Sequence, residues 1–282
     1  MPSVFYIFQK GLDIFKKLVY DRDSNERKRG TIMTFHDWLF SKYPANSAID
    51  GAWGIGHILT LVVIVGAIIA LTVLLKNKSD ACKRKVFVVM AAVILFFELA
   101  RRLIGIADGR VVDFTTAMRT LLPRPWCAIS CWLLMISVVV NKKFFYNFTA
   151  MNGILCTLVF FAYPMAGFNN KYILFENVYS IVTHTLLMIG SFTLITLKMT
   201  DFQHKTAWKE GVCLAVVFAY GFVEIFVLGI EKDPLYFMPK NDVMDIFGMS
   251  YGLYLPLYIL FLCVYFSAFY LVPYFTKKRR AN

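Results

Sequence analysis

Apolar residues run almost unbroken through "GAWGIGHILTLVVIVGAIIALTVLL" and again through "YGLYLPLYILFLCVYFSAFYLVPYF", with no charged residue in either stretch. A helix that crosses the hydrocarbon core of a bilayer needs about 20 predominantly apolar residues. By that measure the pattern predicts seven helical spans, at approximately 51–75, 86–106, 121–140, 146–168, 173–197, 208–230 and 251–275. The second and fifth carry ionisable residues that a hydropathy window penalises. Upstream, Phe5, Phe8, Leu12, Phe15 and Val19 recur at three- and four-residue intervals with Lys10, Lys16 and Lys17 among them. That spacing suits an amphipathic helix lying in the membrane interface, and equally one packed on the protein's own loops. The expected organisation is therefore an interfacial region at 1–50, a transmembrane bundle at 51–275 and a basic tail at 276–282. The fold class is all-α, a polytopic helix bundle. No internal repeat is evident, so the inverted-repeat logic of many transporters gains no support.

Composition agrees with the pattern. Hydrophobic residues make up 59% and charged residues 17% of the 282 positions, and the mean hydropathy is +0.60, far from the mix of soluble domains. The net charge of +12 lies between the apolar blocks, as membrane topology requires, so nucleic-acid binding is not expected. "KNKSDACKRK", Lys142 and Lys143, the loop from Lys198 to Lys209 and the tail "KKRR" fall on one side of a seven-span chain. The loop at Asn169 to Lys171 and "EKDPLYFMPKNDVMD" fall on the other. The positive side is the cytoplasmic one, which puts the C-terminus in the cytoplasm; the expected location is the plasma membrane. The "ERKRG" near the N-terminus is an exception, mostly beyond the range over which the rule acts. The N-terminus has no long uncharged core with a small-residue cleavage site, so a cleaved signal peptide is not expected.

Five of the six cysteines sit inside apolar blocks, which argues against a disulfide scaffold. No His-x-x-x-His or Cys-x-x-Cys spacing points to a metal, and no glycine-rich loop points to a nucleotide, so no cofactor is expected. The chemistry lies in the polar residues within the spans. His57 comes early in span one, Cys127 early in span three and His184 near the middle of span five. Glu98, Arg101 and Arg102 come late in the antiparallel span two, and Glu224 late in span six. All fall in one half of the membrane, whichever way the chain is oriented. Each ionisable group costs roughly 2.5–3.5 kcal/mol at the centre of a span, so a shared polar pocket is the economical reading. Glu98 with Arg101 or Arg102 also has the spacing of an internal ion pair.

Span three opens with "TLLPRPWCAISC", where Pro123 and Pro125 break the helix entrance and Arg124 precedes Cys127. Free backbone donors and a positive charge at a helix start suit a reactive thiol. Buried cysteines are otherwise small hydrophobes, the reading given to Cys131, Cys156, Cys213 and Cys263. A catalytic thiol also needs a base, and His184 in "YSIVTHTLLM" is the candidate. A buried histidine can also serve only a structural hydrogen bond.

"WGIGHI", "LLPRPWC", "SIVTHTLLM", "PLYFMPKNDVMDIFG" and "YLPLYIL", in this order from Trp53 to Leu260, resemble the YwaF-like family of integral membrane proteins. Its vertebrate relatives include the transmembrane ether-phospholipid acyltransferase. The family's usual third motif is similar to "LPLHLC", and here Pro125 stands where a histidine is expected. The resemblance implies a compact bundle with an acyl-transfer site, Cys127 as nucleophile and His184 as base. A phospholipid ester would form a thioester that a lysophospholipid consumes, with membrane lipids as partners. Arg124, Arg101 and Arg102 would hold lipid phosphate, beside His57, Glu98 and Glu224 in the substrate pocket. The alternative is a binding or transport protein for a small anionic or amphipathic ligand, without covalent chemistry. A third reading is a scaffold whose polar groups only hold helices together.

Overall fold

A computed structural model describes residues 35–40, 54–111, 114–123, 126–162, 167–168, 173–229, 235–239, 244 and 248–281. The amphipathic stretch from Phe5 to Val19, Arg124, and most of the segment 230–247 lie outside the described residues. Within them the chain is all-helical: α1 Phe35–Leu39, α2 Ile55–Leu75, α3 Asp80–Gly105, α4 Phe114–Leu121, α5 Trp126–Val140, α6 Lys143–Ala162, α7 Phe175–Thr196, α8 Ala207–Phe226 and α9 Tyr251–Ala281. Each of the seven apolar segments contains a helix. Among the described residues, four are long and apolar enough to cross a membrane: α2, α6, α7 and the Tyr251–Leu271 part of α9. The shorter α5 has 15 residues. α3 and α8 carry their length together with Lys83, Arg84, Lys85, Glu98, Arg101 and Arg102 in one, and Lys209, Glu210 and Glu224 in the other.

Two of the boundaries that differ from those read off the apolar pattern have a clear local cause. α3 begins at Asp80, where Ser79 accepts a hydrogen bond from the Cys82 amide at 3.3 Å and Asp80 pairs with Lys83 at 3.2 Å. A serine cap with an acid in the first turn starts a helix well before hydropathy rises. The segment 121–140 divides at the prolines: α4 ends at Leu121 and α5 starts at Trp126, because proline cannot donate to the ladder and restricts the residue before it.

Burial sorts the helices into layers. α6 is the axis of the bundle, 78% buried over its apolar window, whereas α2 and α9 are each 11% buried over theirs. α6 packs against α5, α7 and α8, and α7 also packs against α2 and α3. Ile58, Leu59, Val62, Val65 and Ile69 of α2 stay exposed on the outside, where lipid covers apolar surface at no cost in water contact. α6 and α7 approach closely at Gly153, where a Cβ would collide with the Ser191 hydroxyl oxygen. Small residues permit such approaches between membrane helices. Asn147 of α6 donates to Asp201 at 3.0 Å and to Glu210 at 2.9 Å, and accepts from the Asp201 amide at 3.0 Å. One buried amide thus fastens the α7–α8 connection to the axis.

Candidate active site

The start of α5 is held from three sides. Arg102, on α3, donates its Nε–H to the Leu121 carbonyl at 2.9 Å and reaches the Leu122 carbonyl at 3.5 Å. Its Nη1 donates to its own helix at the Glu98 carbonyl, 2.7 Å away, and to the Glu98 carboxylate. From α8, the Tyr220 hydroxyl lies 3.1 Å from Glu224 Oε1 and 3.4 Å from the Pro123 carbonyl. From α6, Asn152 accepts the Trp126 indole N–H at 2.9 Å while donating to Phe148 O at 2.9 Å. The carbonyls of Leu121, Leu122 and Pro123 have no helical partners to take them up, because α4 ends there and the prolines supply no N–H groups. A buried arginine and a tyrosine–glutamate pair satisfy them instead.

These tethers leave Cys127 in the first turn of α5, half-buried, with His184 and Cys156 both within electrostatic reach of its thiol. His184, 57 positions on in the sequence, acts on Cys127 electrostatically. His184 Nδ1 lies 2.7 Å from the Ser180 carbonyl oxygen. A carbonyl only accepts, so Nδ1 carries the proton in the neutral ring and Nε2 is left as the basic nitrogen. The ring stacks on Phe160, centroids 3.7 Å apart and planes 12° apart. Backbone carbonyl and aromatic face together fix its orientation.

The remaining candidates divide by what they touch. Glu98, 3% exposed, and Arg102, also 3% exposed, form an ion pair one helical turn apart. Arg102 spends its donors on Glu98 and on backbone carbonyls, and its guanidinium lies 5.8 Å from the Trp132 ring centre. Arg101 sits 3.8 Å from Glu98 and 5.1 Å from the Tyr179 ring centre, and its buried Nε makes no hydrogen bond. Both arginines and Glu98 are near enough to Cys131 to act on it electrostatically, so the cluster borders the turn of α5 below Cys127. Glu224 is fully buried and joins the site through Tyr220. His57 stands apart, against Phe161 at 6.2 Å and Phe168 at 4.9 Å. Two rings lie between it and His184: Phe161, and Phe160 edge-on to it at 5.0 Å.

Composition and spacing missed Cys156, Ser130 and Asn152. Ser130 and Cys156 lie 3.2 Å apart, oxygen to sulfur, so the thiol read as a small hydrophobe belongs to the polar cluster. The available signal was the four-residue spacing of Asn152 and Cys156, which puts both on the α6 face that meets Trp126 and Ser130. The site is walled by Phe218, whose ring is 5.9 Å from Trp126 and 5.4 Å from Phe237. The backbone of residues 235–237 is held over this wall by Tyr258, Tyr254 and Tyr251 of α9, at 2.8, 2.7 and 3.1 Å respectively.

A family model described as the TMEM164 family matches residues 52–272. No curated protein matches the chain. No solved structure matches it either.

Proposed function

The chain belongs to the TMEM164 family of transmembrane proteins, and from that membership and the geometry around Cys127 we propose that it transfers acyl chains between phospholipids through a thioester on this thiol. The single observation that carries the reading is that Cys127 lies within electrostatic reach of His184, a histidine whose Nδ1 is committed to Ser180 O at 2.7 Å. The resemblance of "LLPRPWC" and "SIVTHTLLM" to YwaF-like proteins and to the ether-phospholipid acyltransferase supports the same assignment. Seven spans, a cytoplasmic C-terminus and a plasma-membrane location complete the proposal.

In the first half-reaction His184 Nε2 takes the Cys127 proton and the sulfur attacks the ester carbonyl carbon of a donor phospholipid. The C–O bond breaks, the leaving alkoxide takes the proton back from the imidazolium, and a lysophospholipid departs. In the second, His184 deprotonates the hydroxyl of an acceptor lysophospholipid, which attacks the thioester. The C–S bond breaks and the sulfur recovers the proton. Backbone N–H groups in the first turn of α5, which have no intrahelical partner, are donors for the tetrahedral oxyanion. Arg101, with an uncommitted Nε, is the better candidate for the lipid phosphate; Arg102 acts as a positioning residue for the turn that presents Cys127. Pro125 replaces the motif histidine, and His184 serves as the base without it.

The test uses the full-length protein in vesicles, a phosphatidylcholine donor labelled in one acyl chain and diacyl and ether-linked lysophospholipids as acceptors. Label should move to the acceptor in wild type, fall below detection in Cys127→Ser, and fall by about 10²–10⁴-fold in His184→Ala. Transfer that persists in Cys127→Ser would overturn the mechanism. Lipid binding without transfer, unchanged in Cys127→Ser and lost in Arg101→Ala, would establish the non-covalent binding or transport reading instead.

A further inference from the structure

The opposite end of the bundle carries a cavity lined by charged residues. α5 separates Cys127 from Asn141 by about 20 Å, and at the Asn141 end the tips of α3, α5, α6 and α7 enclose an open cavity of about 340 Å³. Three cations line it, Arg84, Lys143 and Lys198, with one carboxylate, Asp80. That carboxylate is already paired with Lys83 Nζ at 3.2 Å, so the cavity has a surplus of positive charge. α3 and α6 begin here, at Asp80 and Lys143, and bring the positive ends of two helix dipoles to the same place.

The arginine is built in. Arg84 Nε donates to the Val138 carbonyl at 3.0 Å and Nη2 to the Val139 carbonyl at 3.4 Å, which locks the guanidinium plane against the end of α5 and leaves Nη1 uncommitted. Buried Tyr146 forms part of the wall and donates to Asn141 Oδ1 at 3.0 Å. Asn141 and Lys198, where α5 and α7 end, both have left-handed backbone, with φ of 52° and 59°. Asparagine adopts that conformation readily; lysine does so at a steric cost. Glycine would relieve it, yet the chain keeps a cation there.

We propose that this cavity binds a phosphate-bearing anion, gripped by Nη1 of Arg84 and the ammonium groups of Lys143 and Lys198. A rigid guanidinium with two lysines on longer tethers is a phosphate-binding set, and basic pockets between membrane helices on the positive side receive anionic headgroups. The volume lies in the range of small-ligand pockets, about 300–1,000 Å³, so it admits a phosphate together with the polar group that bears it. The anion is a lipid headgroup or free phosphate; both offer the same oxygens.

The test uses full-length protein in nanodiscs and reads the thermal midpoint as probe is titrated. One arm adds phosphatidic acid to a phosphatidylcholine disc, the other adds inorganic phosphate to a disc of phosphatidylcholine alone. A rise with phosphatidic acid only identifies a headgroup site, and a rise with inorganic phosphate identifies a site open to free anion; either supports the proposal. Lys143→Gln and Lys198→Gly should each weaken the apparent affinity about fivefold, the equivalent of about 1 kcal/mol per basic residue. Lys198→Gly also relieves the left-handed backbone, so its weaker binding cannot come from a damaged fold. Cys127→Ser should leave the titration unchanged. No rise in either arm, or the same rise in both lysine variants as in wild type, would overturn the proposal.

Discussion

The two ends of the bundle use arginine in opposite ways. At the Cys127 end, Arg102 is buried and its donors go to Glu98 and to the carbonyls of Leu121 and Leu122. At the Asn141 end, Arg84 is half-buried, holds two carbonyls with one side of its guanidinium and turns the other toward an open cavity beside Lys143 and Lys198. The first arrangement fixes backbone; the second fixes a cation for something else to meet. A charge inside a span therefore does not by itself mark a ligand site. What decides is whether its hydrogen-bonding capacity is exhausted within the chain.

That contrast can be broken by substitution. Cys127→Ser should lower acyl transfer at least about a thousandfold, since removing the nucleophile of a coupled pair removes the reaction path, as label transfer in vesicles would show. Arg102→Ala should be the most damaging change to folding, about 3–5 kcal/mol, because it strips buried Glu98 of its hydrogen-bonded cation and leaves only the longer contact to Arg101; denaturant or thermal unfolding in detergent reads this. Arg101→Ala should leave unfolding close to wild type while weakening lipid phosphate binding, so equal destabilisation by the two neighbouring alanines would erase the distinction. Tyr220→Phe removes one bridge to Pro123 and should cost about 1 kcal/mol, with a modest fall in transfer. Lys143→Gln should change neither unfolding nor transfer measured in neutral lipid, its effect confined to the anion titration.

Much of the bundle was legible because lipid demands long apolar helices, and each of the seven apolar segments contains a helix, four of them long and apolar enough among the described residues to cross a membrane. A polar set at one depth was legible as an expectation, by counting along alternating spans: Glu98, Arg102, Cys127, His184 and Glu224. Their partners were not. Nothing in the spacing says that Arg102 would turn to the carbonyls of Leu121 and Leu122, or that Glu224 would reach Pro123 through Tyr220. Those bonds depend on how α3 and α8 rotate about their axes. His57 shares the depth of the site but faces Phe161 and Phe168, because depth fixes height along a helix and leaves its azimuth open. Cys156 shows the converse: an unremarkable thiol in an apolar run becomes a neighbour of Cys127 once α5 and α6 pack.

The hydropathy pattern also hid the start of α3. "SDACKRK" reads as a charged loop, yet a serine cap and an acid–lysine pair make it the first turn of a helix, and that turn brings Arg84 to the end of α5. The basic cavity thus follows from a capping signal that a search for spans passes over.

The most direct measurement is intact mass of the purified protein after incubation with a donor phospholipid in the absence of acceptor. Wild type should gain the mass of one acyl chain, released by hydroxylamine at neutral pH, and the adduct should map to Cys127. Addition of lysophospholipid should discharge it, and Cys127→Ser should never acquire it. A wild-type protein that transfers acyl chains with no hydroxylamine-labile adduct, or an adduct that maps to Cys131 or Cys156 instead, would contradict the account.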